Sequence, residues 1–168
     1  MRFSPFFRSL VIILALLLNI SCDQLSKSIV RSNVDESETI SLLSNYVTVT
    51  KVENTGAFLS LGSSLPNTIR LALLVFIPVL VLGFGVFFIF RKEDITPMTS
   101  LGICCVLGGG IGNIFDRIMY GSVTDFLHID FGLFQTGVFN LADVSITAGV
   151  FIVLLGSYRK ASLDESQA

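Results

Sequence analysis

Asp125 and Asp143 stand at the edges of long apolar segments in the C-terminal part of the chain. Charged side chains beside membrane-sized apolar segments are costly and are usually kept for function. Two carboxylates that face each other at a poorly solvated site cannot both ionise, so the pair shares one proton. The ionised member can take a proton from a bound water while the neutral member donates to the carbonyl under attack. The two aspartates are therefore candidates for a peptide-hydrolysing pair that requires neither metal nor organic cofactor.

Each aspartate also has an ordinary structural interpretation. Asp143 follows Asn140 by three residues at a predicted helix start, which is a capping arrangement. Asp125 alone is equally well explained as a loop acid, and the segment Asn54 to Gly56 as a simple turn. No single signal decides between these interpretations. Their convergence on one face of a membrane protein favours the catalytic one.

Two further charged pairs lie close to apolar segments. Asp23 and Lys27 are four residues apart, so they share a helix face and can form an ion pair. Asp116 and Arg117 are adjacent, and a local pair that ends a helix would explain them. His128 is the only histidine, and the three cysteines form no metal-ligand pattern, so a zinc site is not predicted.

The composition indicates a small integral membrane protein. Hydrophobic residues make up 52% of the 168 residues and charged residues only 14%, with a mean hydropathy of +0.77. Soluble domains carry about 25% charged residues. The formal net charge is -2 and no basic stripe is present, so nucleic-acid binding is not predicted.

We predict a mainly α membrane protein with four transmembrane helices in one domain, residues 1–160, followed by a polar cytoplasmic tail, residues 161–168. About 20 apolar residues cross the hydrocarbon core as a helix. The second span contains Pro78, which is expected to kink it. Glycines between Gly108 and Gly112 allow the third span to approach a neighbour closely. The predicted spans are residues 7–30, 68–90, 98–119 and 140–158.

The first span has two alternative interpretations. Basic residues precede it and Ser21-Cys22 follows it, as in a secretory signal peptide, and Cys22 could be the acylated residue of a lipoprotein signal. However, Asn19 stands where a lipoprotein signal normally has an aliphatic residue, and the helical pattern continues through Asp23 and Lys27. An uncleaved membrane helix is therefore predicted.

A small β-structured element, residues 38–58, is predicted on the outer membrane face. Residues 48–52 are rich in β-branched types with strand-like alternation, and residues 40–46 are a candidate partner strand. Four spans place both termini on one side of the membrane. The tails and the connection 91–94 are basic at their membrane edges, so the positive-inside rule places the termini in the cytoplasm. The residues that then fall on the outer side include Asn54, Arg117, Asp125 and Asp143.

Four short motifs occur in order along the spans. They are Asp23-Gln24-Leu25-Ser26-Lys27, then Asn54-Thr55-Gly56-Ala57-Phe58, then Gly112-Asn113-Ile114-Phe115-Asp116-Arg117 continuing through Gly121 and Val123 to Asp125-Phe126, and finally Phe139-Asn140-Leu141-Ala142-Asp143. With these motifs the chain resembles, from Asp23 to Tyr158, the bacterial lipoprotein signal peptidases, the signal peptidase II family of membrane aspartic proteases. A proline often seen shortly before the fourth motif is absent, and Gly137-Val138 stands there.

The resemblance implies a catalytic dyad of Asp125 and Asp143. It assigns substrate binding to Asn54, Gly56, Asn113, Arg117 and Asn140. It assigns structural support to Asp23, Lys27 and Asp116. The substrate would be a prolipoprotein whose future N-terminal cysteine carries diacylglycerol, with cleavage just before that cysteine. Membrane lipid and cyclic peptide inhibitors of the globomycin type are further implied partners. One copy holds every implied residue, so we expect a monomer. The resemblance also implies a location in the bacterial cytoplasmic (inner) membrane.

Two other functions are alternatives to the peptidase. A transporter component that uses intramembrane acids as a proton or ion path needs acids throughout the membrane depth, whereas the centres of the second, third and fourth spans carry no charge. A non-catalytic membrane assembly protein would make the aspartate pair dispensable.

The loop 127–138 carries three large apolar side chains, Phe131, Leu133 and Phe134. These side chains could insert into lipid, cover a bound substrate or pack on the fourth span.

Overall fold

The computed structural model describes residues 4–57, 61–92 and 94–165. Within these ranges four helices are long and apolar enough to cross a membrane, and a small antiparallel sheet accompanies them. The predicted fold class is therefore confirmed. Arg2, Phe58 and the last residues of the predicted tail, 166–168, lie outside the described residues.

The helices run further than the apolar spans predicted from sequence. The last helix continues through Glu165 because no glycine or proline follows Tyr158 to stop it. The second span is assembled from three consecutive helical pieces. The helices are α1 (Pro5–Asn33), α2 (Asn67–Leu71), a π-helical turn (Ala72–Phe76), α3 (Ile77–Arg91), α4 (Pro97–Tyr120) and α5 (Leu141–Glu165).

Pro78 distorts the second span, as its position predicts. Proline lacks a backbone N–H, and its ring clashes with the carbonyl four residues earlier. The chain accommodates this with the π turn, in which the Ile77 N–H donates to the Ala72 carbonyl. The distortion therefore lies in the turn that precedes the proline, where the helix widens to bond five residues back.

Helix α4 is the central helix of the bundle, because α1, α3 and α5 all pack against it. Its closest approach is to α5, where Gly109 lies against the Ala142 carbonyl. Glycines in membrane helices allow backbones to come this near. Helix α4 ends at Gly121, whose φ of 79° is left-handed and suits a residue without a Cβ. This cap turns the chain directly into the sheet.

The sheet has three antiparallel strands in the order β1-β2-β3, with β1 at Thr39–Leu42, β2 at Val47–Asn54 and β3 at Val123–Ile129. Strands β1 and β2 occupy the predicted β element. Strand β3 was not predicted, because its segment was assigned to the loop that carries Asp125. Its pairing partner lies far away in sequence, so local pattern does not reveal the pairing.

The sheet packs on the end of α1 through a small core. Val30 of α1 and Val34, which caps the C-terminus of α1, form a buried cluster with Phe126 of β3. After β3 the chain forms a hairpin, with bridges from Leu127 to Phe139 and from Asp130 to Gln135.

The tip of this hairpin is exposed. Phe131 is 52% exposed, Leu133 100% and Phe134 67%. Packing of these side chains on the fourth span, one of the three sequence-based alternatives, is therefore wrong.

Candidate active site

The sheet places Asn54 beside Asp125. Asn54 pairs with Val123 across the two strands, so Asp125 is its diagonal neighbour on the same face. A bulge in β2 between Val49 and Val52 shifts the register just before this point, and bulges commonly re-aim side chains near active sites. The Asn54 Nδ2 donates to Asp125 Oδ2 at 2.9 Å.

Helix α5 begins with a reciprocal cap made by Asn140 and Asp143. The Asp143 N–H donates to Asn140 Oδ1 at 3.0 Å, and the Asn140 N–H donates to Asp143 Oδ2 at 3.1 Å. This geometry is that of a capping box, with an acid near the positive end of the helix dipole. The capping interpretation of Asp143 is therefore correct, and the capping side chain also lines the same cavity as Asp125.

Asn140 joins the two carboxylates. Its Nδ2 donates to Asp125 Oδ1 at 2.6 Å while its backbone holds Asp143. Asn113 of α4 adds a bond from its Nδ2 to Asp143 Oδ1 at 3.0 Å. Each of the four carboxylate oxygens thus accepts an N–H, and the two acids line one cavity.

Asp125 lies in the more enclosed surroundings of the two acids, with only 4% of its surface exposed. Burial raises the pKa of Asp125, and the charge of Asp143 acts in the same direction. The amide donors of Asn54 and Asn140 oppose this shift because they stabilise the ionised form. The net shift of the pKa is upward, so Asp125 holds a proton more readily than a free carboxyl group does.

Arg117 reaches from α4 toward the loop that follows β2. Its NH2 donates to the Gly56 carbonyl at 2.8 Å and its NH1 to the Asn113 carbonyl at 3.2 Å. Its Nε is buried and has no hydrogen-bond partner among the described residues. Asp116 points the other way, toward α1, so the interpretation of Asp116 and Arg117 as a local pair is wrong.

A buried charge cluster lies beneath the two carboxylates, between α1 and α4. The Lys27 ammonium lies 2.9 Å from Asp23 and 3.1 Å from Asp116, and the Arg31 guanidinium lies 2.9 Å from Asp116. Asp23 also accepts the Ala142 N–H in the first turn of α5, at 3.1 Å. The ion pair expected from the four-residue spacing of Asp23 and Lys27 is confirmed.

Arg31 was missed by the sequence analysis, which placed it in the polar connection after the first span. The available signal was its spacing, because Arg31 follows Lys27 by four residues and continues the charged stripe of α1. Its Nε also donates to Thr124 Oγ1 at 2.8 Å, which ties α1 to the strand that carries Asp125.

The cavity that holds both carboxylates has a volume of about 390 Å³. Its polar end is lined by the aspartates, the three asparagines and Arg117. Its other wall is apolar and comes from the second span through Leu74, Ile77, Pro78, Val81 and Leu82. A ligand at this site would therefore meet acids and amides at one end and a hydrocarbon-like surface along its length.

Residues 13–159 match the family described as Signal peptidase (SPase) II. The chain belongs to the signal peptidase II family. Its similar relatives include a lipoprotein signal peptidase of Streptococcus pneumoniae, 32% identical over 153 residues, which cover 91% of this chain and 95% of the relative. A lipoprotein signal peptidase of Streptococcus pyogenes serotype M1 is 31% identical over 143 residues, covering 85% and 90%.

Solved structures agree with this membership at the level of the fold. A bacterial membrane enzyme determined at 2.3 Å resolution superposes with a TM-score of 0.80 and 22% identity, covering 90% of both chains. A second, at 1.9 Å resolution, gives a TM-score of 0.76 and 21% identity, covering 86% of this chain and 90% of that chain. This member of the signal peptidase II family is therefore a multi-pass membrane protease, and the cavity described above is its candidate active site.

Proposed function

We propose that this protein is a membrane aspartic endopeptidase that removes signal peptides from diacylglyceryl-modified prolipoproteins, just before the lipid-modified cysteine. The observation that carries the proposal is a single cavity in which two carboxylates, joined through Asn140, meet an apolar wall of the second span. The streptococcal relatives are named lipoprotein signal peptidases, which supports the substrate class.

The catalytic pair in this proposal consists of Asp125, which holds the shared proton, and Asp143, which is ionised. Asp143 takes a proton from water, and the water oxygen attacks the scissile carbonyl carbon. Asp125 donates its proton to the carbonyl oxygen, giving a neutral tetrahedral intermediate. Collapse of the intermediate breaks the C–N bond as the proton on Asp143 passes to the departing amine. One hydroxyl of the intermediate returns its proton to Asp125, which releases the carboxylic acid product and restores the pair. The burial of Asp125 supports this assignment of acid and base.

The substrate-binding residues are assigned by their free groups and their place in the cavity. The unpartnered Nε of Arg117 supports a contact with a substrate carbonyl. Asn54 and Asn113 line the same space and donate to the acids, and Gly56 is linked to it through bonds to Asn54 and Arg117. Cyclic peptides of the globomycin type would occupy this space and block it.

The proposed setting is the bacterial inner membrane, with both termini in the cytoplasm and the cavity near the outer face. At the cavity end, Lys27 and Arg31 are engaged in buried ion pairs and Arg117 in hydrogen bonds. Few free basic side chains are left there, whereas Arg91 and Lys92 are exposed at the opposite end of the bundle. This asymmetry supports the orientation by the positive-inside rule. One copy supplies every residue assigned to the site, which supports a monomer.

Lipid modification of the substrate is expected to decide the rate of cleavage. A diacylglyceryl chain against the apolar wall would anchor the scissile bond at the depth of the acids. We expect a modified precursor to be cleaved about 100-fold faster than the same precursor with an unmodified cysteine. The measurement is cleavage in proteoliposomes by gel shift and mass spectrometry. Equal turnover of both precursors would contradict the lipid-anchored substrate.

The pH dependence of turnover is expected to respond to Asn54. The amide N–H stabilises the ionised form of Asp125, so Asn54→Ala raises the pKa of Asp125 further. The pair loses its shared proton as the pH rises through that pKa. The basic limb of the kcat profile should therefore move to higher pH, by up to about one unit. Thr55→Ala is the matched control, and an equal shift in both variants would refute the assignment.

A further inference from the structure

Three asparagine side chains surround the two acids, and each must present its NH2 end to a carboxylate. A reversed amide would place its carbonyl oxygen against a carboxylate oxygen, and two acceptors repel each other. Asn54 is fixed because its Oδ1 accepts the Gly56 N–H at 3.0 Å. Asn140 is fixed because its Oδ1 accepts the Asp143 N–H. Backbone N–H groups can only donate, so neither amide can reverse.

Asn113 has no such backbone partner. Its Oδ1 accepts from the Lys27 ammonium at 2.8 Å and from Asn140 Nδ2 at 3.2 Å. The shorter bond comes from a group that can only donate. The orientation of Asn113, and with it the donor that faces Asp143, is therefore held mainly by a side chain of α1 that touches neither acid, and to a lesser extent by the longer bond from Asn140.

The Lys27 ammonium is itself fixed. It is completely buried, donates hydrogen bonds to Asp23 Oδ2 and Asn113 Oδ1, and forms a further ion pair with Asp116 Oδ2. The carboxylates of Asp23 and Asp116 neutralise its charge. With Arg31, which pairs with Asp116, these residues form the buried charge cluster described above, a quartet of two acids and two bases. The third partner, Asn113, is uncharged and adds nothing to that neutralisation. The bond from Lys27 to Asn113 therefore serves to orient the Asn113 amide.

We infer that Lys27 is a positioning residue for the catalytic pair, because its ammonium locks Asn113 with the NH2 end toward Asp143. The inference rests on the proposed role of Asp143 as the base. Without Lys27 only the longer bond from Asn140 opposes a turn of the Asn113 amide. A turned amide places its carbonyl oxygen, in place of its N–H, against the Asp143 carboxylate, and the base loses that hydrogen bond.

The charged groups around Asp143 come from three elements. Asp125 faces it from β3 and Arg117 from α4, while Asp116 points away toward α1 and the quartet members of α1 lie behind Asn113. A charge-balanced substitution is needed to separate positioning from net charge. The members on α1 are Asp23, Lys27 and Arg31.

The test compares two charge-balanced double variants of the quartet. Lys27→Met with Asp23→Asn removes the lock on Asn113, whereas Arg31→Met with Asp116→Asn removes one cation and one anion but keeps the lock. Both should lose similar thermal stability. Only the first should lose kcat, by about tenfold, with a nearly constant KM. Identical kcat profiles in the two variants would overturn the inference.

A cycle with Asn113→Leu distinguishes action through Asn113 from a general structural effect. In that background, adding Lys27→Met with Asp23→Asn should change kcat less than twofold, because the amide that Lys27 orients is already gone. Independent, additive losses would show that Lys27 acts by another route. Asp23→Asn alone should lose less kcat than the double variant, since the Lys27 bond to Asn113 remains.

A readout without substrate keeps this inference separate from the proposed function. Carbon-13 NMR of aspartate-labelled protein reports the hydrogen bonding of each carboxyl group through its chemical shift. A changed Asp143 carboxyl signal in the Lys27 variant, absent in the Arg31 variant, supports positioning even where the lipid-modified precursor is not the substrate. Failure of the wild-type enzyme to cleave that precursor would instead refute the proposed function, and an unchanged Asp143 carboxyl signal would refute the role of Lys27.

Discussion

Replacement of Asp143 by asparagine, or of Asp125 by asparagine, is expected to lower the cleavage rate by about 10⁴-fold or more while the protein still inserts. Asparagine has nearly the same shape and can still accept one N–H. It cannot take a proton from water as Asp143 would, and it cannot lend a carboxylic proton as Asp125 would. The measurement is cleavage of a lipid-modified precursor in proteoliposomes.

The control for this experiment is Asp35→Asn, the same chemical change at an exposed acid in the connection after α1. This variant should retain wild-type turnover. Thermal denaturation in detergent checks the fold of each variant, and the loss of charge near the start of α5 should cost Asp143→Asn only about 0.3–1 kcal/mol. Near-normal turnover by either Asp125→Asn or Asp143→Asn would contradict the aspartic mechanism.

Gly109→Ala is expected to cost both stability and activity, although it adds a single methyl group. A Cβ at this position would lie 2.5 Å from the Ala142 carbonyl oxygen and 2.9 Å from Ile146 Cγ1. The backbone oxygen can retreat only if the first turn of α5 moves, and Asp143 is the next residue. Overpacking of this kind costs about 1–3 kcal/mol, and a displacement of about 1 Å at a catalytic group can cost about 100-fold in rate.

Gly83→Ala is the matched control for that change. It adds the same methyl group to a membrane helix, but a Cβ at Gly83 meets nothing within 4 Å. It should leave turnover unchanged and alter stability by no more than about 1 kcal/mol, in the stabilising direction. Equal behaviour of the two alanine variants would mean that the α4–α5 contact does not set the position of Asp143.

The spans could be predicted from sequence because membrane insertion depends on a local quantity, the apolar length of a segment. The distortion near Pro78 was predictable for a similar reason, since a missing N–H acts within one turn. Strand β3 could not be found in this way. Its partner β2 lies some seventy residues earlier, as the Asn54–Asp125 bond illustrates, and no local pattern encodes that pairing.

The candidate site shows the same difference between local and long-range information. The residue types around the acids were identifiable from short motifs, but their mutual orientation was not. Whether Asn113 presents a donor or an acceptor to Asp143 depends on Lys27 of another helix. The dual role of Asp143, as cap and as neighbour of Asp125, likewise follows from tertiary packing. Sequence presented these two roles as competing interpretations, whereas the folded chain satisfies both.

The reciprocal cap of Asn140 and Asp143 has a consequence for biogenesis. The hydrolytic centre needs the last helix to enter the bilayer and wind its first turn, because that winding brings Asp143 into place. A nascent chain with only three helices inserted holds Asp125 alone and has no partner for the shared proton. Under the proposed mechanism, insertion of the last helix is itself the activating event. A partly inserted chain therefore cannot cleave neighbouring membrane proteins during its synthesis.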